Sequence, residues 1–214
     1  MKSEKFDSLS EPLIYLITDG AATTENFNEK KRNNLSLIKT AVQTKVSLIQ
    51  IREKRLSARL VFELVSEAVK LTRGTPTKLL VNDRADIALA ANADGVHLTS
   101  RSLSAKIIRR NFPKNFIIGV SAHSIEKAEI AKRQAADFVV FSPIFSSPGK
   151  ADSQGIEKLR AVCRQLKPFP VLALGGVDET NYAETLAAGA SGFAAIRFLN
   201  DEKKLRELAA DWRG

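Results

Sequence analysis

Short apolar runs rich in β-branched residues recur along the chain at nearly regular intervals. Each is followed by a longer segment whose apolar residues repeat with helical spacing. The runs are Leu13 to Thr18, Leu48 to Arg52, Lys78 to Asn82, Gly95 to Leu98, Ile117 to Ser121, Phe138 to Phe141, Pro170 to Leu174 and Gly192 to Ile196. Their near-continuous apolar character is that of parallel strands buried on both faces.

Helix boundaries are legible between them. Ser57 is the expected N-cap of a stretch carrying Leu60, Phe62, Leu64, Val65, Ala68 and Leu71, which Gly74 and Pro76 end. Ser124 precedes a helix over Glu126 to Gln134, Thr180 precedes one over Ala183 to Ala188, and Gly189 reads as a C-terminal stop. Eight strand-helix units of about 27 residues each fill the 214 residues, which predicts an α/β chain folded as one (β/α)8 TIM barrel. The competing open doubly wound sheet usually carries a glycine fingerprint after its first strand, and Asp19-Gly20-Ala21 is not that fingerprint. Residues 1–12 are polar and predict a flexible N-terminal arm, with the barrel over 13–214 and no linker or second domain.

Composition narrows the picture. With 44% hydrophobic and 27% charged residues, whole-chain disorder is excluded. Before Asp19 the longest apolar run is Leu13 to Ile17, too short for a membrane span or a secretory signal, so a cytoplasmic protein with no membrane partner is expected. The single cysteine, Cys163, cannot form an internal disulfide, and no Cys/His cluster has zinc spacing. A net charge of +9, from 33 Lys and Arg against 24 Asp and Glu, favours anionic partners. The basic clusters, Glu29-Lys-Lys-Arg32 and Arg109-Arg110 near Lys106 and Lys114, are short and lack interleaved aromatics. They read as solvated surface rather than as a nucleic-acid footprint. A small phosphorylated ligand satisfies the same bias with a few cations converging in one pocket. The oligomeric state stays open, a homo-oligomer included.

In a parallel barrel, reactive groups gather at the carboxyl ends of the strands. The second run ends in Gln50-Ile-Arg52-Glu53-Lys54, where Gln50 and Arg52 share one face by alternation. An amide and two cations are thereby aimed at the barrel mouth. A surface salt-bridge set is the competing reading, but both side chains are costly inside a buried strand. The third run ends in Asn82-Asp83-Arg84, whose polar residues either cap the next helix or, through Asp83, supply a Mg²⁺ carboxylate. After the fifth run, His123 is the best general-base candidate and equally a hydrogen-bonded structural histidine. His97, within the fourth run, reads as a satisfied core residue. The loop Ser142-Pro-Ile-Phe-Ser146-Ser147-Pro-Gly149-Lys150 can wrap a phosphate or form a plain turn. Gly175-Gly176 and Ile196-Arg197 follow the seventh and eighth runs, the usual phosphate-binding position of this barrel.

These motifs, in this order, resemble the thiamine phosphate synthase and TenI family. The residues that carry the resemblance are Tyr15-Leu-Ile-Thr-Asp19, Gln50-Ile-Arg-Glu-Lys54, Val81-Asn-Asp-Arg-Ala-Asp-Ile-Ala88, Asp94-Gly-Val-His-Leu98, Ile118-Gly-Val-Ser-Ala-His-Ser124 and Ala173-Leu-Gly-Gly-Val177. The resemblance implies a transferase that joins hydroxymethylpyrimidine diphosphate to thiazole phosphate and releases diphosphate. It further implies that Gln50, Arg52, Lys54, Asn82, Ser121 and Lys150 hold the pyrimidine diphosphate and that Asp83 binds Mg²⁺. Ser147, Gly176 and the backbone at Ile196 would receive the thiazole phosphate, with Arg197 beside them. Arg52, Lys54, His123 and Lys150 form the expected catalytic set.

Three positions depart from the family pattern. Thr99-Ser100-Arg101-Ser102 stands where synthases usually carry Gly-Gln-Glu-Asp, so Ser102 replaces a second Mg²⁺ carboxylate and weakens the expected metal site. Gly149 replaces a hydroxyl residue of the sixth loop, and Arg197 replaces a serine. The TenI-like branch implies a second reading, a metal-free thiazole tautomerase using His123 as acid and base. A third is a non-catalytic binder of thiamine intermediates.

Overall fold

Eight parallel strands close into a barrel in chain order, β1 to β8, each followed by a helix. The structure is a computed structural model describing residues 12–146 and 153–211. The strands are β1 (Leu13–Ile17), β2 (Leu48–Ile51), β3 (Lys78–Asn82), β4 (Gly95–Leu98), β5 (Ile117–Ala122), β6 (Phe138–Phe141), β7 (Val171–Ala173) and β8 (Gly192–Ala195). Every expected strand is present, with ends shifted by no more than one residue. The helices are α1 (Phe27–Gln43), α2 (Ala58–Thr72), α3 (Ala85–Ala90), α4 (Ala105–Asn111), α5 (Ile125–Arg133), α6 (Ile156–Leu166), α7 (Tyr182–Ala187) and α8 (Glu202–Asp211). Residues 1–11 of the expected arm, and Ser147 and Lys150 of the sixth loop, lie outside the described residues.

Each strand buries both faces. Leu13, Tyr15, Leu48, Leu80, Phe138 and Leu172 fill the barrel, while Ile14, Leu16, Ile49, Leu79 and Val96 pack outward among the helices. Strand alternation then places Gln50, Asn82, His97, Ser121 and Ile196 on the inward side, toward the carboxyl ends. The polar inward positions therefore mark one end of the barrel.

Ser57 and Ser124 cap α2 and α5 as expected, their hydroxyls accepting from the N–H groups of Leu60 and Lys127. Thr180 does not cap α7. The N-cap is Asn181, and the Thr180 hydroxyl donates to Asp178 Oδ1 at 2.7 Å. Phe62 is 42% exposed, and Val61 and Val69 take the buried side of α2. Cys163 on α6 is buried, which pushes its thiol up to about 12. No described helix is long and apolar enough to cross a membrane.

One turn recurs before β2, β4, β6 and β8. A left-handed residue (Lys45, Asn92, Ala135, Gly189) is followed by a small apolar one whose N–H returns to a carbonyl five residues back: Val46 to Ala41, Ala93 to Ala88, Ala136 to Ala131 and Ala190 to Thr185. This is the Schellman closure of a helix. Ser47, Asp94 and Asp137 come next, and their side chains accept from the N–H groups of Ile14, Leu79 and Ile118, stapling each following strand to the one before it. Ala135 is exposed, so its positive φ of 61° carries strain with no packing return. Ala135→Gly is expected to stabilise the barrel by about 1 kcal/mol, read as a Tm rise of roughly 2–4 °C.

Arg109 is not solvated surface. From the last turn of α4 its guanidinium donates to Asp137 Oδ2 at 2.6 Å and to the carbonyl oxygens of Phe116, Lys114 and Ala135 at 2.8, 3.2 and 3.2 Å. It clamps together the entries to β5 and β6, at the barrel end away from the polar inward residues.

Candidate functional site

The end of β2 is built from the inside outward. Gln50 is 1% exposed and donates through Nε2 to the Tyr15 hydroxyl at 2.8 Å. The Arg52 N–H donates to Thr18 Oγ1 at 2.9 Å, and the guanidinium lies against Gly20, where a Cβ would stand 3.3 Å from Nη1. Between the two cations of this strand end, Glu53 turns the other way. It is 4% exposed and accepts from the Ala22 N–H at 3.0 Å and Asn34 Nδ2 at 3.4 Å, tying the β1 loop and α1 to β2. In the sequence, Glu53 stands out only as a carboxylate flanked by Arg52 and Lys54.

Asp83 follows β3 with φ of 59°, a left-handed conformation that Asp tolerates better than most residues. Neither Asn82 nor Asp83 caps α3, whose N-cap is Arg84 without a side-chain bond. The carboxylate turns instead toward the loop after β4. Oδ1 accepts from the Thr99 N–H at 3.2 Å, Thr99 Oγ1 at 2.9 Å and the Ser102 hydroxyl, and Oδ2 accepts from Asn82 Nδ2 at 2.8 Å. Burial raises the carboxyl's pKa, but the Ser102, Thr99 and Asn82 hydrogen bonds and the Lys54 charge together hold it below the ordinary carboxylate range. Lys54, Asn82, Asp83 and Arg84 line one cavity of about 300 Å³.

His97 is a satisfied interior residue, as expected, and more than that. Its Nδ1 lies 3.2 Å from the Tyr15 hydroxyl and its Nε2 2.9 Å from Ser121 Oγ. Burial pushes the imidazole down to about 4, with Asp83 raising it and Arg52 lowering it. Burial also pushes the Tyr15 phenol well above its ordinary range. Both rings are therefore neutral across the physiological range. His123, by contrast, is exposed, and its Nδ1–H donates to the Ser142 carbonyl at 2.8 Å. That bond fixes the tautomer and leaves Nε2 as the basic atom.

At β7 and β8 a second cavity, about 330 Å³, is lined by Gly176, Asp178, Ile196, Arg197 and the Glu179–Lys204 ion pair. Gly176 has φ of 66°, and a Cβ there would stand 2.7 Å from Phe145 Cβ and 2.9 Å from the Ser146 oxygen. The loop after β6 lies so close because Ile144 and Phe145 donate to the carbonyl oxygens of Leu174 and Gly175. The expected pocket residues divide: Lys54, Asn82 and Asp83 share a cavity with Ile51, Leu56 and Val61 on the α2 side, Gly176, Ile196 and Arg197 share another, Arg52 lines neither, and Gln50, His97 and Ser121 lie in the barrel interior. Two cavities arise because the cation and carboxylate set sits on β2 and β3, while the glycine backbone sits on β7 and β8.

Among the described residues no group of three or more His, Cys, Asp or Glu side chains gathers to hold a metal ion. Asp83 offers a single carboxylate already receiving four hydrogen bonds, one from Ser102. Asp178 lines the other cavity, where it accepts from Thr180. This donor set fits a Mg²⁺ that shares its shell with phosphate oxygens and water, for which one carboxylate suffices. It does not fit an ion held by protein groups alone.

Residues 14–199 match the family described as thiamine monophosphate synthase. The chain belongs to this family. A Geobacter sulfurreducens protein, provisionally named a thiamine-phosphate synthase, is 40% identical, covering 92% of this chain and 90% of its own. The thiamine-phosphate synthase of Chloroflexus aurantiacus is 36% identical, covering 86% of this chain and 82% of its own. Among solved structures, the thiamine phosphate pyrophosphorylase of Pyrococcus furiosus superposes with a TM-score of 0.77 at 29% identity, covering 94% of this chain and 97% of that one. The matched span takes in every strand-end motif from Gln50 to Arg197.

Proposed function

We propose that this chain is a thiamine-phosphate synthase, a transferase that joins hydroxymethylpyrimidine diphosphate to a thiazole phosphate. The bond from the pyrimidine methylene carbon to the diphosphate oxygen breaks, and the diphosphate leaves with the electron pair. The thiazole nitrogen then forms a bond to the carbocation-like methylene. Stabilising separated charge is the main task of such a site. Arg52 and Lys54 neutralise the departing diphosphate, Asn82 donates to it, and Gln50 and Ser121 orient the pyrimidine. Lys150 is assigned the same task as the two cations. Gly176, Ser147 and the backbone at Ile196 receive the thiazole phosphate, and Arg197 adds a cation there. Asp83 would hold a Mg²⁺, which would supply positive charge to the leaving diphosphate.

The observation that carries this reading is the shared cavity of Lys54, Asn82 and Asp83 at the ends of neighbouring strands, in a chain of this family. Purified protein given both substrates and Mg²⁺ is expected to release diphosphate, and a chelator is expected to reduce the rate at least tenfold. Binding of both substrates with no diphosphate above background would make the protein a non-catalytic binder and end the synthase reading.

One observation favours a second reading. The Ser142 carbonyl accepts from His123 Nδ1–H and so places the ring's lone pair on Nε2, the nitrogen a thiazole tautomerase would use as acid and base. That activity would persist in chelator and collapse in His123→Ala.

A further inference from the structure

A file of hydrogen bonds crosses the barrel interior from β2 to β5 and ends on the Ser121 hydroxyl. Its polarity follows from what each atom can do. The Gln50 amide N–H can only donate, and it faces the Tyr15 oxygen at 2.8 Å. The phenol's own proton is left for His97 Nδ1 at 3.2 Å, so that nitrogen is the unprotonated one. The neutral ring then carries its proton on Nε2 and donates it to Ser121 Oγ at 2.9 Å. A hydroxyl that accepts from behind keeps its one proton for the front.

Packing holds the file in place. The Phe138 ring meets Tyr15 edge-on at 5.6 Å and stands 6.1 Å from His97. Gly119 makes the room, since a Cβ there would lie 2.4 Å from Phe138 Cζ and 2.8 Å from His97 Nδ1.

We propose that Tyr15 and His97 are positioning residues that fix Ser121 as a hydrogen-bond donor, so that the site selects its pyrimidine by an acceptor atom of the ring. The proposal rests on the reading of this chain as a synthase that takes a pyrimidine diphosphate. Ser121 is inward-facing and half-buried at the carboxyl end of β5, where a ligand entering the mouth meets it. A ring nitrogen presents a lone pair to that hydroxyl. An exocyclic amine presents a proton, for which the Ser121 oxygen, already accepting from His97, is a poorer partner. Because the file is buried, each bond polarises the next, and the donor character of Ser121 is reinforced from Gln50 onward.

Nitrogen-15 NMR of the histidine-labelled full chain near neutral pH tests the polarity directly. The chain has two histidines, so His123→Gln assigns both ring systems. His97 is expected to show a protonated Nε2 and an unprotonated Nδ1; the opposite tautomer would overturn the proposal. Tyr15→Phe keeps the ring packing and removes the relay. It is expected to raise KM for the pyrimidine diphosphate about tenfold and leave KM for the thiazole phosphate unchanged. An equal rise in both, or in neither, refutes the relay. Replacing the ring acceptor nitrogen of the substrate by C–H is expected to weaken binding about tenfold in the native chain and not at all in Ser121→Ala. If the Ser121-dependent penalty instead follows removal of the exocyclic amine, Ser121 is an acceptor and the proposal is wrong. A native chain that releases no diphosphate defeats the synthase reading, while the NMR spectrum still decides the polarity of the file.

Discussion

Replacing Asp83 with asparagine is expected to slow diphosphate release about a thousandfold, close to 4 kcal/mol of transition-state stabilisation, while the barrel stays folded. The substitution keeps the shape and removes the charge. Asparagine accepts the left-handed φ of 59° at this position, and its oxygen can still receive the Thr99 and Ser102 donors. The new amide meets the Asn82 amide donor, and Asn82 can turn over to accept from it, so the structural penalty is about 1 kcal/mol. The rate penalty is far larger because, among the described residues lining the β2–β3 cavity beside Lys54, the other carboxylate, Glu53, is already committed to Ala22 and Asn34. Steady-state diphosphate release, with circular dichroism as the folding control, measures both. A loss under tenfold would remove Asp83 from the metal role. In the companion variant Ser102→Asp, the restored second carboxylate is expected to lower the Mg²⁺ concentration giving half-maximal rate.

Arg109→Met is expected to destabilise the protein by about 3 kcal/mol, a Tm fall of roughly 6–12 °C, with no direct effect on the chemistry. Methionine replaces the packing of the stem but none of the donors. Asp137, whose side chain is 8% exposed, loses its guanidinium, and the carbonyl oxygens of Lys114, Phe116 and Ala135 lose theirs. Removing one partner of a buried pair leaves the other charge desolvated, which is why the expected loss exceeds that of a surface ion pair. A change under 1 kcal/mol in thermal unfolding would return Arg109 to the solvated surface. The clamp sits where the chain enters β5 and β6, opposite the strand ends that carry the candidate site, in line with the division of a (β/α)8 barrel into a stability face and an active face.

Much of the fold is legible because it is local. A strand such as Phe138–Phe141, buried on both faces, must be apolar throughout, and a helix such as Ala58–Thr72 follows a capping serine, so each announces itself within about ten residues. The inward positions of Gln50, Asn82 and Ser121 follow from alternation alone. Arg109 reads as solvated surface in the sequence because its partner is 28 residues away and a helical charge run looks the same with or without it. His97 was legible as an interior residue but not as a link, because Tyr15 stands 82 residues before it and Ser121 24 after it. Thr180 failed as a cap for a local reason, since Asp178 competes for its hydroxyl.

The amino-acid order by itself determined the eightfold strand-helix alternation, the end of the barrel that bears polar side chains and the family to which those motifs belong. These follow from periodicity and residue chemistry, which act over a few positions at a time. Only the closed barrel decided that the Ser102 hydroxyl sits on Asp83, that Glu53 turns away from the cations beside it, and that Gln50, Tyr15, His97 and Ser121 form one file across the interior. Those contacts join residues on different strands and loops, and they exist only once closure brings the strand ends within hydrogen-bonding distance of one another.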